Sequence, residues 1–315
     1  MASGSIPRPI FRKETYMSRS ELRLFDLINF WGLPAIAAVS VLLLVLFSKD
    51  QSLRRTAIFS LFTFVITTFF VLYIKRKYFF DYRFFYGLRN DWLPFSGWNI
   101  LIYLVFADFI FYFYHRFSHV VPILWIGHLG HHATDHLHFA QSVRENILIH
   151  IFILPMGLLG ISFALSPEGV FACIRFIFLY QGFLHFRARS DIPFLKYIFV
   201  TPYFHIAHHS KKFVGAGQNY GGLFSVWDRI FGTHHEGPEF HASFGLEGWN
   251  NTNSLWTLNV TPATDLLRLC WKQKSLTPLF LFQNLTYRPR GTSLLLHLFT
   301  LALLVDLIRR AMFFG

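Results

Sequence analysis

Eight of the chain's sixteen histidines fall into three short clusters. They read His115-Arg-Phe-Ser-His119, His128-Leu-Gly-His131-His132 and His205-Ile-Ala-His208-His209. Residues at i, i+3 and i+4 share one face of a helix, so each cluster aims two or three imidazoles at a common point. Neutral imidazole is a borderline ligand suited to iron, zinc, copper or nickel. Eight nitrogens exceed what one four-coordinate zinc or one six-coordinate ion can take, whereas two metals with four or more each use them all. The clusters therefore require a fold that gathers helical segments around a two-metal centre.

Each cluster lies beyond an apolar run, and composition agrees with a membrane setting. The chain is 53% hydrophobic with 40 Phe and only 15% charged residues, richer in apolar residues than an ordinary soluble domain. Apolar runs occur at Leu27 to Phe47, Thr56 to Ile74, Trp98 to Tyr114, Ile147 to Leu165, Gly169 to Leu184 and Thr292 to Ile308. A span needs roughly 20 residues. The first two runs qualify; the others are shorter and tilt, extend into polar helix or only enter the interface. The first run follows a polar, basic stretch and is too long for the core of a cleavable signal, so it is expected to persist.

Two cysteines, Cys173 and Cys270, give no disulfide framework. The net charge of +12 sits in short clusters next to apolar runs, such as Lys75-Arg-Lys77 and Arg309-Arg310. Anionic lipid headgroups explain such clusters better than nucleic acid does. The expected class is an all-α polytopic membrane protein with a helical histidine-box catalytic region at the membrane face. Residues 1–97 would form a basic segment and membrane hairpin, 98–241 the catalytic domain, and 242–315 a segment with an interfacial helix and a last apolar helix. The stretch from His185 to Gly291 holds eleven Lys or Arg, which places it in the cytoplasm by the positive-inside tendency. The hairpin of the fourth and fifth runs returns the chain to that side, so the boxes can converge. If all three early runs cross, however, the basic N-terminus and Lys75 to Arg89 fall outside; Trp98 to Tyr114, with Asp108 near its middle, is then the best candidate for an unusual span.

An order of HX3H, then HX2HH after eight residues, then HX2HH after a further 72, resembles the fatty acid hydroxylase and sterol desaturase superfamily of membrane di-iron oxygenases. The flanking text agrees. Asp108 to His119 reads DFIFYFYHRFSH, and Asn219 to Thr233 reads NYGGLFSVWDRIFGT, which is similar to the alkylglycerol monooxygenase branch and its bacterial sterol-desaturase-like relatives. The resemblance covers Trp98 to Thr233. It implies O2-dependent hydroxylation, desaturation or ether-lipid monooxygenation of a membrane lipid at two Fe ions. It implies an external electron donor too: cytochrome b5, ferredoxin or, in the alkylglycerol monooxygenase branch, tetrahydrobiopterin. Ligation carries onto His115, His119, His128, His131, His132, His205, His208 and His209, and His185 matches a histidine at the end of the span before the third box. The implied location is multi-pass in a bacterial inner membrane or the endoplasmic reticulum, with the active site facing the cytoplasm.

Other polar residues have both plain and functional readings. A ligating histidine usually donates its second N–H to a carboxylate or carbonyl. Asp108, two helical turns before His115, is a candidate for that role or for a simple packing contact. Asp228, and Glu145 beside Arg144, are weaker candidates that a salt bridge would explain equally well. Asn219 offers an oxygen ligand or a turn before Gly221-Gly222, the turn being the plainer reading. His136 and His138 either orient a ligand or do nothing at the site; His150, His234, His235, His241 and His297 are expected outside it.

Competing classes are weighed on the same residues. A membrane zinc protease would use HExxH with its Glu as general base, but box one reads HRFSH. A haem protein would use facing histidines, for which doubled His-His endings are wasteful. A non-enzymatic metal carrier leaves the aromatic apolar surroundings unexplained. Within the superfamily, a sterol desaturase or sterol methyl oxidase type of enzyme is the alternative.

Overall fold

The computed structural model describes residues 35–78, 93, 95–144, 146, 148, 163, 165–186, 188, 190–211, 218–236, 243–246 and 253–280. Glu145, His150, His241, His297, the basic N-terminus, residues 79–92, most of the fourth apolar run and all of the last lie outside the described residues. Among the described residues every regular element is helical, as the sequence reading expects. In chain order they are α1 (Ala35–Phe47), α2 (Gln51–Tyr78), α3 (Ile100–Val120), α4 (Pro122–His132), a 3-10 turn (Phe139–Val143), α5 (Pro167–Leu184), a 3-10 turn (Leu195–Tyr197), α6 (Pro202–His209), α7 (Val226–Ile230), α8 (Leu255–Asn259), α9 (Thr261–Gln273) and α10 (Thr277–Phe280). Among the described residues extended pairing is limited to the isolated bridges Leu93–Leu165, Phe199–Phe224 and Ser210–Phe244.

Proline marks where α4, α5 and α6 begin. Pro122, Pro167 and Pro202 each occupy a helix's first turn, where the missing N–H costs nothing and the fixed φ is already helical. Ser166 and Thr201 cap two of these starts, accepting the N–H of Gly169 at 3.4 Å and of Phe204 at 3.4 Å.

The third apolar run does not stop at Tyr114. The helix continues through His115 to Val120, making α3 21 residues long, and nothing in Arg-Phe-Ser-His-Val breaks it. It is the one helix among the described residues long and apolar enough to cross a membrane. Of the first run only the shorter α1 is described. The second lies within the 28-residue α2, whose inward face is hydroxylic: Thr56, Ser60, Thr63 and Thr67 are buried and their apolar neighbours Ile58, Phe62, Val65 and Ile66 are exposed. Ser60, Thr63 and Thr67 donate back to carbonyls three or four residues earlier, so the polar groups need no water. Polar-inward, apolar-outward patterning is the one expected of a helix packed in lipid.

The main core joins α3 to α5 through Tyr103, Ala107, Ile110, Phe111, Val170, Cys173, Ile174 and Ile177. Tyr103 pins the pair together, its hydroxyl bonding Leu93 O and receiving Ser166 N–H. The Phe139–Val143 turn connects this core to α1 and α2. Phe139 is buried beside Ala37 and Val143, with ring contacts to Phe183 and Phe186 at 5.5 and 5.8 Å. Replacing Phe139 by Ala should therefore cost about 3–5 kcal/mol, whereas Phe62→Ala on the outer face of α2 should cost under about 1 kcal/mol. Unfolding in detergent checks this, and equal losses would mean that the turn is not a core element.

Candidate metal centre

Four helices deliver the histidines, and all four do so near their C-terminal ends. Box one lies in the last two turns of α3, box two at the end of α4, box three at the end of α6, and His185 caps α5. Four negative dipole ends thus point toward one place, each favouring a nearby cation by about 0.3–1 kcal/mol. The nine imidazoles are buried there.

They form two groups. His115, His119, His128, His132 and His208 are one; His131, His185, His205 and His209 are the other, with the potential ligand atoms of each group within 4.8 Å of one another. This refines the expectation that each box aims at a common point, since boxes two and three are split between the groups. Residues at i and i+4 share a face, so His128 pairs with His132 and His205 with His209. The remaining His131 and His208 each turn to the opposite group. His185, read from resemblance alone, completes the second.

Hydrogen bonds decide which nitrogen faces inward. The Nδ1 atoms of His115, His131, His185 and His208 lie 3.0, 3.2, 2.7 and 2.8 Å from the carbonyl oxygens of Tyr220, Gln141, Gln181 and Gln218. A carbonyl only accepts, so each Nδ1 carries the proton and each Nε2 presents a lone pair. The Nε2 atoms of His131 and His185 are nevertheless 3.2 Å apart. Two acceptors face each other with no proton between them, which costs about 1–3 kcal/mol for each buried unsatisfied group. A cation removes that penalty. The other Nε2 spacings, 3.1 Å for His115 to His128, His132 to His128, His185 to His209 and His209 to His205, and 3.2 Å for His208 to His132, match ligands on one ion, whose bonds of about 2.0–2.1 Å set neighbouring nitrogens roughly 3 Å apart. Burial holds His185 and His208 down at about 4 and keeps His128, His131, His132, His205 and His209 well below the ordinary imidazole range. They are neutral at physiological pH, the form a metal takes. The donor set fits two ions.

The carboxylates stand one step further out than expected. Asp108 meets no imidazole; its oxygens accept the N–H groups of Leu223 and Phe224 at 2.6 and 2.8 Å and the Trp227 indole at 2.9 Å. Asp228 takes part in no simple salt bridge, accepting instead from Tyr220 N at 2.7 Å, Gly221 N at 2.8 Å and the Thr233 hydroxyl at 2.7 Å. Burial pushes it up to about 6, against the opposing pull of those donors. Asn219 supplies no oxygen to the centre. It sits at φ 58°, its amide donating to Phe204 O and His235 O and its oxygen accepting His235 N. All three residues hold the loop 218–224, which carries the Gln218 and Tyr220 carbonyls that orient His208 and His115. None contacts the ligand nitrogens.

Gln141, Gln181, Gln218 and Tyr220 escaped the sequence reading because they act through backbone carbonyls, which every residue has. Gln181 also donates its side chain to Gly222 O, and Gln141 returns its amide to His131 O at 2.8 Å. The Gly221-Gly222 pair was the visible signal: a Cβ on Gly222 would meet Phe111 at 2.6 Å and Ile177 at 2.7 Å. His138 is buried outside both groups, with no hydrogen-bond partner on either ring nitrogen, and orients no ligand. His136 meets Ser52 Oγ at 3.2 Å, and His234 stacks on Phe204.

Residues 100–233 match the fatty acid hydroxylase family. Alkylglycerol monooxygenase of Danio rerio is 30% identical over 188 residues, 58% of this chain and 40% of that protein. The Homo sapiens protein of the same name is 32% identical over 162 residues, 50% and 35% of the two chains. Ornithine lipid hydroxylase OlsE of Rhizobium tropici is 30% identical over 143 residues, 45% and 43%. The matched segments thus span about two fifths of these relatives' lengths. No solved structure matches.

The outward carboxylates have a measurable consequence. Asp228→Asn replaces one acceptor oxygen by an amide facing backbone N–H groups, so metal affinity should fall 10–100-fold, as for other partners that orient ligands. Gly222→Ala should act in the same direction. Metal retention against a chelator measures both, and unchanged retention would show that the loop does not set the imidazoles.

Proposed function

With residues 100–233 matching the fatty acid hydroxylase family, we propose that this chain uses O2 to oxidise a membrane lipid at two iron ions held by nine histidines. The observation that carries the reading is the pair of buried imidazole groups with lone pairs turned inward. His115, His119, His128, His132 and His208 would hold one ion, and His131, His185, His205 and His209 the other. Iron supplies the redox chemistry that O2 activation and attack on an unactivated C–H bond require, which zinc lacks.

The chain's own contribution is placement. Carbonyls of Gln141, Gln181, Gln218 and Tyr220 fix the tautomer of four imidazoles, turning their Nε2 lone pairs inward. Burial keeps water from the centre, protecting a strong oxidant from side reactions. Asp108, Asp228 and Asn219 are positioning residues for that arrangement. Electrons would come from a separate donor: cytochrome b5, ferredoxin or, by likeness to the alkylglycerol monooxygenases, tetrahydrobiopterin. A multi-pass chain with the centre facing the cytoplasm accords with the Lys and Arg between His185 and Gly291.

A lipid with a polar head and a flexible chain is the proposed substrate, in preference to a free sterol. Two kinds of relative, the alkylglycerol monooxygenases and the ornithine lipid hydroxylase, carry names of such lipids.

Purified protein expressed with iron should hold close to two iron atoms per chain by elemental analysis, and one zinc without iron would sink the reading. His131→Ala or His208→Ala should abolish turnover and lower bound iron, with His297→Ala leaving both nearly unchanged; equal loss at His297 would remove the case for the boxes. For the substrate, membranes given O2 and each donor in turn should oxidise ether or acyl lipid ahead of sterol. Oxidation of sterol alone would move the chain to the sterol branch and leave the metal assignment intact.

A further inference from the structure

Residues 253–280 are not used by the metal centre, yet they are fastened to the helix that carries box two. α8, α9 and α10 all pack against α4. The Leu258 side chain occupies the space a Cβ on Gly130 would need, between His128 and His131. Asn146 donates to the carbonyls of Leu258 and Asn259 at 2.8 and 3.2 Å, and Arg144 donates to Asn253 at 3.1 Å.

The side turned away from α4 is unlike a water-facing surface. On α9, Pro262, Leu266 and Cys270 are buried one turn apart. Leu267 and Trp271, also one turn apart, stand on the outer side at 62% and 87% exposure. Trp256, Leu276 and Phe280 extend this apolar surface onto α8 and α10, each more than half exposed. Beside it lie Arg268, Lys272 and Lys274, all exposed. The single acid of this segment, Asp265, is paired with Arg268 at 3.2 Å, leaving the face net positive. A helix with Trp and Leu on its outer side and cations along the flank is built to lie in the plane of a bilayer surface, rings among the headgroups. Lysine and arginine stems reach from such a position to anionic phosphates.

We propose that the outer face of α8 to α10 binds an anionic lipid surface, and that this contact seats the box-two helix directly beneath the headgroup layer. The charge of the face selects this occupant over an apolar protein partner, which would leave Lys272 and Lys274 without counterions, Arg268 being paired with Asp265. The inference does not depend on iron or on lipid oxidation.

Spin labels on the full-length chain in nanodiscs containing phosphatidylglycerol test it. Labels at Leu267→Cys, Trp271→Cys and Asp265→Cys are read for collision with O2 and with a water-soluble nickel chelate. The expected ratio of oxygen to nickel accessibility is at least five-fold higher at positions 267 and 271 than at 265. Reversing Arg268, Lys272 and Lys274 to Glu together should return the first two labels to water. Equal nickel access at all three positions overturns the proposal. So does shielding of 267 and 271 from both reagents, which would mean cover by protein, either the apolar run 292–308 or a second copy. Iron content of the same samples reports on the metal reading separately, so failure of either is distinguishable.

Discussion

Lone pairs aimed at lone pairs set the terms for the rest of this structure. His131 and His185 give their Nδ1 protons to carbonyls and leave Nε2 atoms 3.2 Å apart with nothing between them to share. Such a contact is unfavourable in a protein interior without a cation. With four imidazoles oriented by carbonyls in this way and nine buried together, the centre is a place where folding and metal binding are coupled. The four helix C-termini that converge there lower the cost of a double positive charge.

Everything around the centre serves to hold the imidazoles still. The carbonyls of Gln218 and Tyr220 belong to a loop with little freedom of its own, and that loop is held by carboxylates rather than by packing alone. Asp108 on α3 and Asp228 on α7 each accept two backbone N–H groups of residues 220–224, along with the Trp227 indole and the Thr233 hydroxyl respectively. Each carboxylate thereby satisfies donors that would otherwise be buried unpaired. Asn219, in the left-handed region, turns the chain so that adjacent carbonyls reach two different helices.

The surroundings have two faces. α2 turns hydroxyls inward and aliphatic and aromatic side chains outward, and α3 is long and apolar enough to span a bilayer. On α8 to α10, aromatic rings are exposed beside cations. These features match what a helix packed in lipid and a helix lying at a bilayer surface present.

The sequence by itself determined the chemistry of the centre and the class of the fold. Clusters at i, i+3 and i+4 are visible because helical periodicity is local, and histidine is rare enough for its clustering to carry information. The helical class was legible in the apolar runs. Only the tertiary structure decided how the histidines divide into five and four, because that depends on the angles at which α3, α4, α5 and α6 meet. It also decided that Asp108, Asp228 and Asn219 hold a loop rather than touch a ligand, and that Gln141, Gln181, Gln218 and Tyr220 orient four rings. A backbone carbonyl has no residue identity, so its use as a hydrogen-bond acceptor leaves no mark in the sequence. Of the outcomes open for the third run, extension into polar helix is the one found: hydropathy falls where box one begins, but the helix continues to Val120 with His115, Arg116, Ser118 and His119 buried.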